Sequence, residues 1–213
     1  GLKVIFTFLC HPELVNAPYR EIAERAGVAV GTVGWVLNGL KAADLIRDRG
    51  KKHERRIVNY QKLLDRWVEA YPEKLRPKQL IGEFITNDPY WWKEFDIRKY
   101  DAYWGGEIAA AKYTDYLKPQ VATIYMHDIA LRQLLIDARL YKATRWNDEI
   151  VGTVNIYKCF WQENNIELDM DNKKELVDPI LAYADLIATG DTRNIEVARR
   201  IYDEHIAQHI RED

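Results

Sequence analysis

The sequence predicts an α+β protein, an N-terminal winged helix-turn-helix followed by a mixed α/β C-terminal domain. Three observations carry this expectation. Residues 16–40 hold two short helical patterns joined through a glycine. Residues 45–59 hold two short strand patterns around a basic tip. Beyond residue 78, apolar strand-like runs alternate with helical ones.

Leu2–Cys10 (LKVIFTFLC) is an apolar helix that should pack under the motif and end at Pro12, which cannot continue the ladder. In the first motif helix, Pro18 stands at a permitted first position. Ile22, Ala23 and Ala26 fall at helical spacing, and Gly27 stands at the C-cap. A three-residue turn leads to a second helix over Gly31–Leu40, with Val33, Val36, Leu37 and Leu40 on one face. Two such helices form the pattern whose second member enters the major groove. Asp44 stands where winged helices usually carry glycine, and aspartate tolerates a left-handed backbone better than most residues. Leu45-Ile46 is expected as the first wing strand, Arg47–His53 as a charged tip, and Arg55–Asn59 as the returning strand.

Tyr60–Tyr71 is an amphipathic helix with Leu63, Leu64, Trp67 and Val68 on one face. Pro72 and Pro77 bracket a basic connector, which places the expected domains at 1–71, DNA-binding, and 78–213, α/β. In the second domain, strands are expected at Leu80–Ile85, Val121–Met126 and within Ile150–Phe160, and helices at Asp128–Arg139, Asp178–Ala188 and Thr192–His209. Within Tyr100–Pro119, Gly105, Gly106 and Ala109–Ala111 suggest a helix packed very closely on a neighbour. Trp91 and Trp92 can stack on a base, but aromatics at a domain junction belong more often to the core or an interface.

Charge separates the two parts. Residues 1–60 carry a net charge of +4 and the remainder −6, so one basic face is set on an acidic body. Six of the ten residues from Arg47 to Arg56 are Lys or Arg, which suits phosphate contact without sequence information. The DNA-contacting set expected is Thr32, Gly34, Trp35, Asn38 and Lys41 on the second helix with Arg47, Arg49, Lys51, Lys52, Arg55 and Arg56 on the wing. Thr32 and Asn38 suit base edges or phosphate, and Trp35 suits sugar or a thymine methyl, with core packing as its equal alternative. A basic hairpin in a protein-binding winged helix is the plainer reading of the same pattern.

Composition sets further bounds. With 47% hydrophobic and 30% charged residues the chain is of globular type, and no apolar run reaches membrane-spanning length. The start, Gly-Leu-Lys, has neither methionine nor a basic-then-apolar leader, so the chain is read as a portion of a longer protein. Cys10 and Cys159 lack metal spacing and fit a reducing, cytoplasmic setting. The sharpest enzymatic candidate is Glu167, Asp169 and Asp171, alternate carboxylates able to hold Mg²⁺ for nucleotidyl transfer. They lack the Gly-Gly/Ser turn that such an enzyme places just before them, and Asp171-Asn172-Lys173-Lys174 reads as an ordinary polar turn. Gly105-Gly106 lacks the lysine of a phosphate loop, His205 and His209 lack the glutamate of a zinc-protease motif, and His127-Asp128 has no nucleophile beside it in a chain without serine. The expectation is a non-enzyme without cofactor or metal. A divergent nucleotidyltransferase-like domain tethered to DNA is the alternative.

GLKVIFTFLC, the NAPYREIAERAGVAVGTVGWVLNGL block, LLDRWVEAYPEKLRPK, DPYWW, YWGGEIAAAKYTDYLKP with VATIYM, and DPILAYADLIATGDTRNIEVARRIYDEHI together resemble the AbiEi-like antitoxin and transcriptional-regulator family of type IV toxin–antitoxin (abortive infection) systems. Members of this branch are longer at their N-terminal end, so the chain resembles their winged-helix and C-terminal portions. The resemblance implies operator binding and autorepression at the protein's own promoter. It also implies a C-terminal domain that counters a nucleotidyltransferase-type toxin without requiring direct contact.

Overall fold

The structure is a computed structural model in which residues 1–49, 54–142, 152–162 and 175–208 are described. The chain is mixed α and β and divides into two compact units, neither continuous in sequence. The first comprises Gly1–Leu75, Phe160–Ile166 and Glu204–Asp213; the second comprises Arg76–Cys159 and Glu167–Asp203.

The first unit opens with helix α1 (Leu2–Cys10), which buries Val4, Phe6, Phe8 and Leu9 and gives way to a 3-10 turn at Pro12–Asn16. Helix α2 (Tyr19–Ala26) turns Ile22, Ala23 and Ala26 inward. It ends in a Schellman motif: Gly27 has φ +57°, its N–H donates to the Glu24 carbonyl, and the Val28 N–H donates to the Ala23 carbonyl. Helix α3 (Val30–Ala42) buries Val33, Val36, Leu37 and Leu40 and runs two residues past the expected end. It closes with the same motif, Leu45 N–H to Leu40 and Asp44 N–H to Lys41, with Asp44 at φ +55° in the glycine position.

Strands β1 (Ile46–Arg49) and β2 (Glu54–Ile57) pair antiparallel, with Ile46 opposite Ile57, Arg47 opposite Arg56, Asp48 opposite Arg55 and Arg49 opposite Glu54. The expected hairpin tip therefore began too early. Arg47, Asp48 and Arg49 are ladder residues, because alternation about the buried Ile46–Ile57 pair tolerates charge on a solvated pair of strands. Asn16 pairs with Arg55 as a strand residue would, giving its Nδ2 to the Arg55 carbonyl (2.8 Å) and accepting the Arg55 N–H on Oδ1 (2.6 Å).

Helix α4 (Tyr60–Lys74) is capped by the Asn59 side chain, which accepts the Lys62 N–H at 2.8 Å. It continues through Pro72 rather than ending at Tyr71, so the first residues of the expected connector are helical. Trp67, stacked between Phe6 and Tyr71, donates its Nε1 hydrogen to the Leu2 carbonyl at 2.9 Å.

The second unit is a five-stranded sheet in the order β4-β5-β7-β3-β6. Its strands are β3 (Leu80–Thr86), β4 (Ala102–Gly105), β5 (Val121–Met126), β6 (Tyr141–Lys142) and β7 (Gly152–Lys158). β5 and β7 are parallel and the other pairs antiparallel. Helices α5 (Gly106–Thr114), α7 (Pro179–Ile187) and α8 (Thr192–Ile201) pack together, and α6 (Leu131–Asp137) follows β5. Just ahead of the helix that Gly105, Gly106 and Ala109–Ala111 suggest lies β4, a strand buried at every residue and so without the alternation that marks a strand in sequence. The half-buried Trp91 ring packs against the core, edge-on to Trp104 (centroids 5.4 Å) and Phe95 (5.0 Å).

Close packing at Gly105-Gly106 has a definite cause. Gly106 has φ +49°, and a Cβ there would lie 2.7 Å from Thr123 Oγ1; one on Gly105 would lie 2.5 Å from Tyr125 Cε2. Over this turn the buried Asp185 carboxylate accepts the Gly106 N–H (3.1 Å) and the Tyr125 hydroxyl (2.9 Å) and faces Arg76 Nε at 3.4 Å. The Arg76 guanidinium lies 4.9 Å over the Tyr157 ring. Buried Glu107 likewise accepts from the Gln120 N–H (2.6 Å), Arg193 (3.1 Å) and Asn194 (3.0 Å).

Candidate nucleic-acid interface

The first unit presents the outer face of α3 beside the β1–β2 pair. Because Val33, Val36, Leu37 and Leu40 take the inner face, Gly31, Trp35, Asn38, Gly39 and Ala42 occupy the opposite arc, all exposed, with Lys41 at its margin. Trp35 is 75% exposed, which decides between the two alternatives for it: the indole is not core. One edge of the ring lies beside the start of α1, where a Cβ on Gly1 would be 3.6 Å away. Thr32 and Gly34 are half-buried, and Gly34 rests on Tyr19, whose Cε2 would be 3.4 Å from a Cβ there.

The cations are less free than their number suggests. Lys41 Nζ donates to Asp48 Oδ2 at 2.8 Å. Arg47 is held in a two-pronged pair by Asp44, Nε to Oδ1 at 2.7 Å and Nη2 to Oδ2 at 2.6 Å. The Arg47 hydrogen bond holds the Asp44 carboxyl below the usual carboxylate range, and the same bond raises the Arg47 guanidinium. Asp44 therefore both turns the chain out of α3 and neutralises the first cation of β1.

Arg55 lies 5.3 Å over the Tyr19 ring and is half-buried, as is Arg56 across from Arg47. Arg49 pairs through its backbone with Glu54, while Lys51 and Lys52 lie outside the described residues. The arrangement thus brings Trp35, Asn38, Lys41 and Arg47 to exposed positions on α3 and β1 and sets Thr32, Gly34, Arg55 and Arg56 partly inside. Tyr19, which lies against Gly34, and Val30, in the first turn of α3, are further exposed apolar side chains of this unit, at 40% and 44%. The sequence reading passed over both. A tyrosine after Pro18 opening a helix, and a valine just ahead of the predicted start of α3, were the available signals.

Glu167, Asp169, Asp171 and His209 lie outside the described residues, and His205 is 3.9 Å from Glu204. Among the described residues, no three His, Cys, Asp or Glu side chains cluster as metal ligands. No helix among them is long and apolar enough to cross a membrane.

Residues 56–207 match the family model described as transcriptional regulator, AbiEi antitoxin, type IV TA system. The chain belongs to this AbiEi antitoxin family. The match begins within β2 and runs through α4 and the second unit, so α1, α2 and α3 lie ahead of it. No curated protein and no solved structure matches the chain. Family membership makes the chain one of the transcriptional regulators that serve as antitoxins in type IV toxin–antitoxin systems.

Proposed function

We propose that this AbiEi-family chain is a DNA-binding autorepressor and antitoxin, with the first unit as a winged helix-turn-helix and the second as the antitoxin-type domain. The observation that carries the proposal is the order α2, glycine-capped turn, α3, antiparallel pair, with the polar and aromatic arc of α3 turned to solvent. An exposed second helix beside a basic two-stranded element fits a major groove with phosphate on its flank. On this reading Trp35, Asn38 and Thr32 face the groove, while Lys41, Arg47, Arg49, Lys51, Lys52, Arg55 and Arg56 serve the backbone. The wider partner is a nucleotidyltransferase-type toxin, opposed without obligatory contact, in the cytoplasm where promoter and toxin are both reached.

The ion pairs Lys41–Asp48 and Arg47–Asp44 favour one second reading, a winged helix that binds protein through Trp35. A salt titration of fluorescence anisotropy, with a duplex from the chain's own promoter and a scrambled duplex, separates the two. DNA binding gives an affinity that falls linearly on a log–log plot as salt rises, with the promoter duplex bound more tightly. No binding to either duplex would favour the protein partner. Growth rescue on co-expression with a neighbouring nucleotidyltransferase-type toxin tests the antitoxin half.

A further inference from the structure

Resting on the DNA-binding reading above, we infer that α3 reads A·T base pairs, with Trp35 against the C5-methyl of thymine and Asn38 on the edge of adenine. This helix reads no guanine.

Base chemistry gives the first half. Guanine offers the major groove two acceptors, O6 and N7, and the side chains that read it are the donor forks of arginine and lysine. The exposed arc of α3 holds neither. Lys41, at its margin, is bonded to Asp48 at 2.8 Å. Adenine offers a donor and an acceptor side by side, which an asparagine amide matches with its own acceptor and donor. Asn38 is exposed and lies one turn from Trp35 on the same arc.

Shape gives the second half. Trp35 stands 75% exposed between Gly31 and Gly39, one turn to either side. At both glycines a Cβ would meet nothing within 4 Å. The indole is therefore the one large side chain on an arc with bare backbone above and below it, and base-pair edges can approach the helix on both sides of the ring. Thymine is the one base with an apolar group in the major groove, so the ring's complement there is the C5-methyl.

The test uses the full chain and a pool of random-sequence duplexes, followed by single-atom changes in the duplex that selection returns. The expected half-site is A·T-rich with no invariant guanine under α3. Replacing its thymines by uracil one at a time removes only the methyl. One or two positions should each lose about fourfold in affinity, the worth of one buried methyl. Trp35→Ala should abolish that sensitivity while leaving the salt slope unchanged, and Asn38→Ala should cost about tenfold on the selected duplex with little effect on a scrambled one.

An invariant guanine contacted by α3, or uracil substitution without effect at every thymine, overturns the inference while DNA binding stands. If Trp35→Ala instead converts a dimer to a monomer and leaves base preference unchanged, the indole packs against a second copy and the inference fails. Absence of salt-dependent binding to any duplex removes the DNA-binding reading itself, a result distinguishable from both.

Discussion

Replacing Asp44 and Asp48 together by asparagine should tighten binding to any DNA duplex and steepen its salt dependence. Each carboxylate sits on a cation that the proposed function assigns to phosphate, Asp48 on Lys41 at 2.8 Å and Asp44 on Arg47 at 2.6 and 2.7 Å. Asparagine keeps the left-handed backbone at position 44 accessible and removes only charge. Residues 41–56 hold seven Lys or Arg against three Asp or Glu, so the double variant leaves Glu54 as their sole carboxylate. Each phosphate contact contributes about −0.9 to the slope of log affinity against log salt. Two released cations can steepen that slope by about 1.8, which enlarges the loss of affinity between about 50 and 200 mM salt roughly twelvefold. Promoter and scrambled duplexes should shift together, because phosphate carries no sequence code. Fluorescence anisotropy at four or more salt concentrations reads the slope, with thermal melting as the folding control. A folded variant whose slope equals that of the parent would refute the claim that these pairs withhold DNA-facing charge.

Three further outcomes concern the second unit. Asp185→Ala leaves the Arg76 guanidinium, the Tyr125 hydroxyl and the Gly106 N–H without their shared acceptor; breaking such a buried pair costs about 3–5 kcal/mol, and a loss below about 1 kcal/mol in urea unfolding would show that the group is not holding this turn. Gly106→Ala combines a left-handed backbone with a Cβ 2.7 Å from Thr123 Oγ1; it should destabilise by at least about 1–2 kcal/mol, with part recovered when Thr123→Ala is added, and an undiminished melting temperature would contradict the packing. Burial, then the Asp137 hydrogen bond, pushes the Tyr100 hydroxyl up from 10.0 to about 12. With the folded value raised, its contribution to stability is full below pH 10 and is lost as pH rises through 12; Tyr100→Phe should flatten that part of the melting profile, and an unchanged alkaline profile would assign the loss to other groups.

What the sequence disclosed follows from which signals are local. Gly27 and the apolar spacing of Ile22, Ala23 and Ala26 mark α2 because cap and face lie within one helix. Asp44 was readable for the same reason, since its left-handed turn is a property of a few residues. Strand β4 was hidden, because four buried residues in a row leave no period. The Asp185–Arg76 and Glu107–Arg193 pairs join residues far apart in the chain, and a charge count cannot match them. The same limit acted at the candidate interface. The basic run after α3 was plain, but its partial neutralisation by Asp44 and Asp48 depends on where the hairpin places each side chain. The exposure of Trp35 was closer to hand: the four apolar residues assigned to the inner face of α3 already left it on the outer one.

Phe160 carries the remaining prediction, because it makes the first unit depend on a segment remote in sequence. Its ring is 3% exposed, edge-on to Phe6 (centroids 5.1 Å) and to Trp161 (5.1 Å), and tilted towards Tyr71 at 6.4 Å. Two residues on, the Gln162 N–H donates to the Arg25 carbonyl at 3.1 Å, in the last turn of α2. Phe160 is thus part of the same aromatic cluster that fixes α1 against α4, and Gln162 holds the end of the helix that leads into α3. Phe160→Ala in the full chain should cost about 3–5 kcal/mol, from lost burial and the cavity left behind. A fragment ending at Leu75 lacks both groups and should be weaker by a similar amount. For a chain of that size each kcal/mol lowers the melting temperature by roughly 4–8 °C, so the fragment should melt at least ~12 °C below the same unit in the full chain. Circular dichroism melting of the fragment, the full chain and the Phe160→Ala variant makes the comparison. If the fragment melts where the full chain does and binds promoter DNA with the same salt slope, the N-terminal segment is self-sufficient and the role given to Phe160 is wrong.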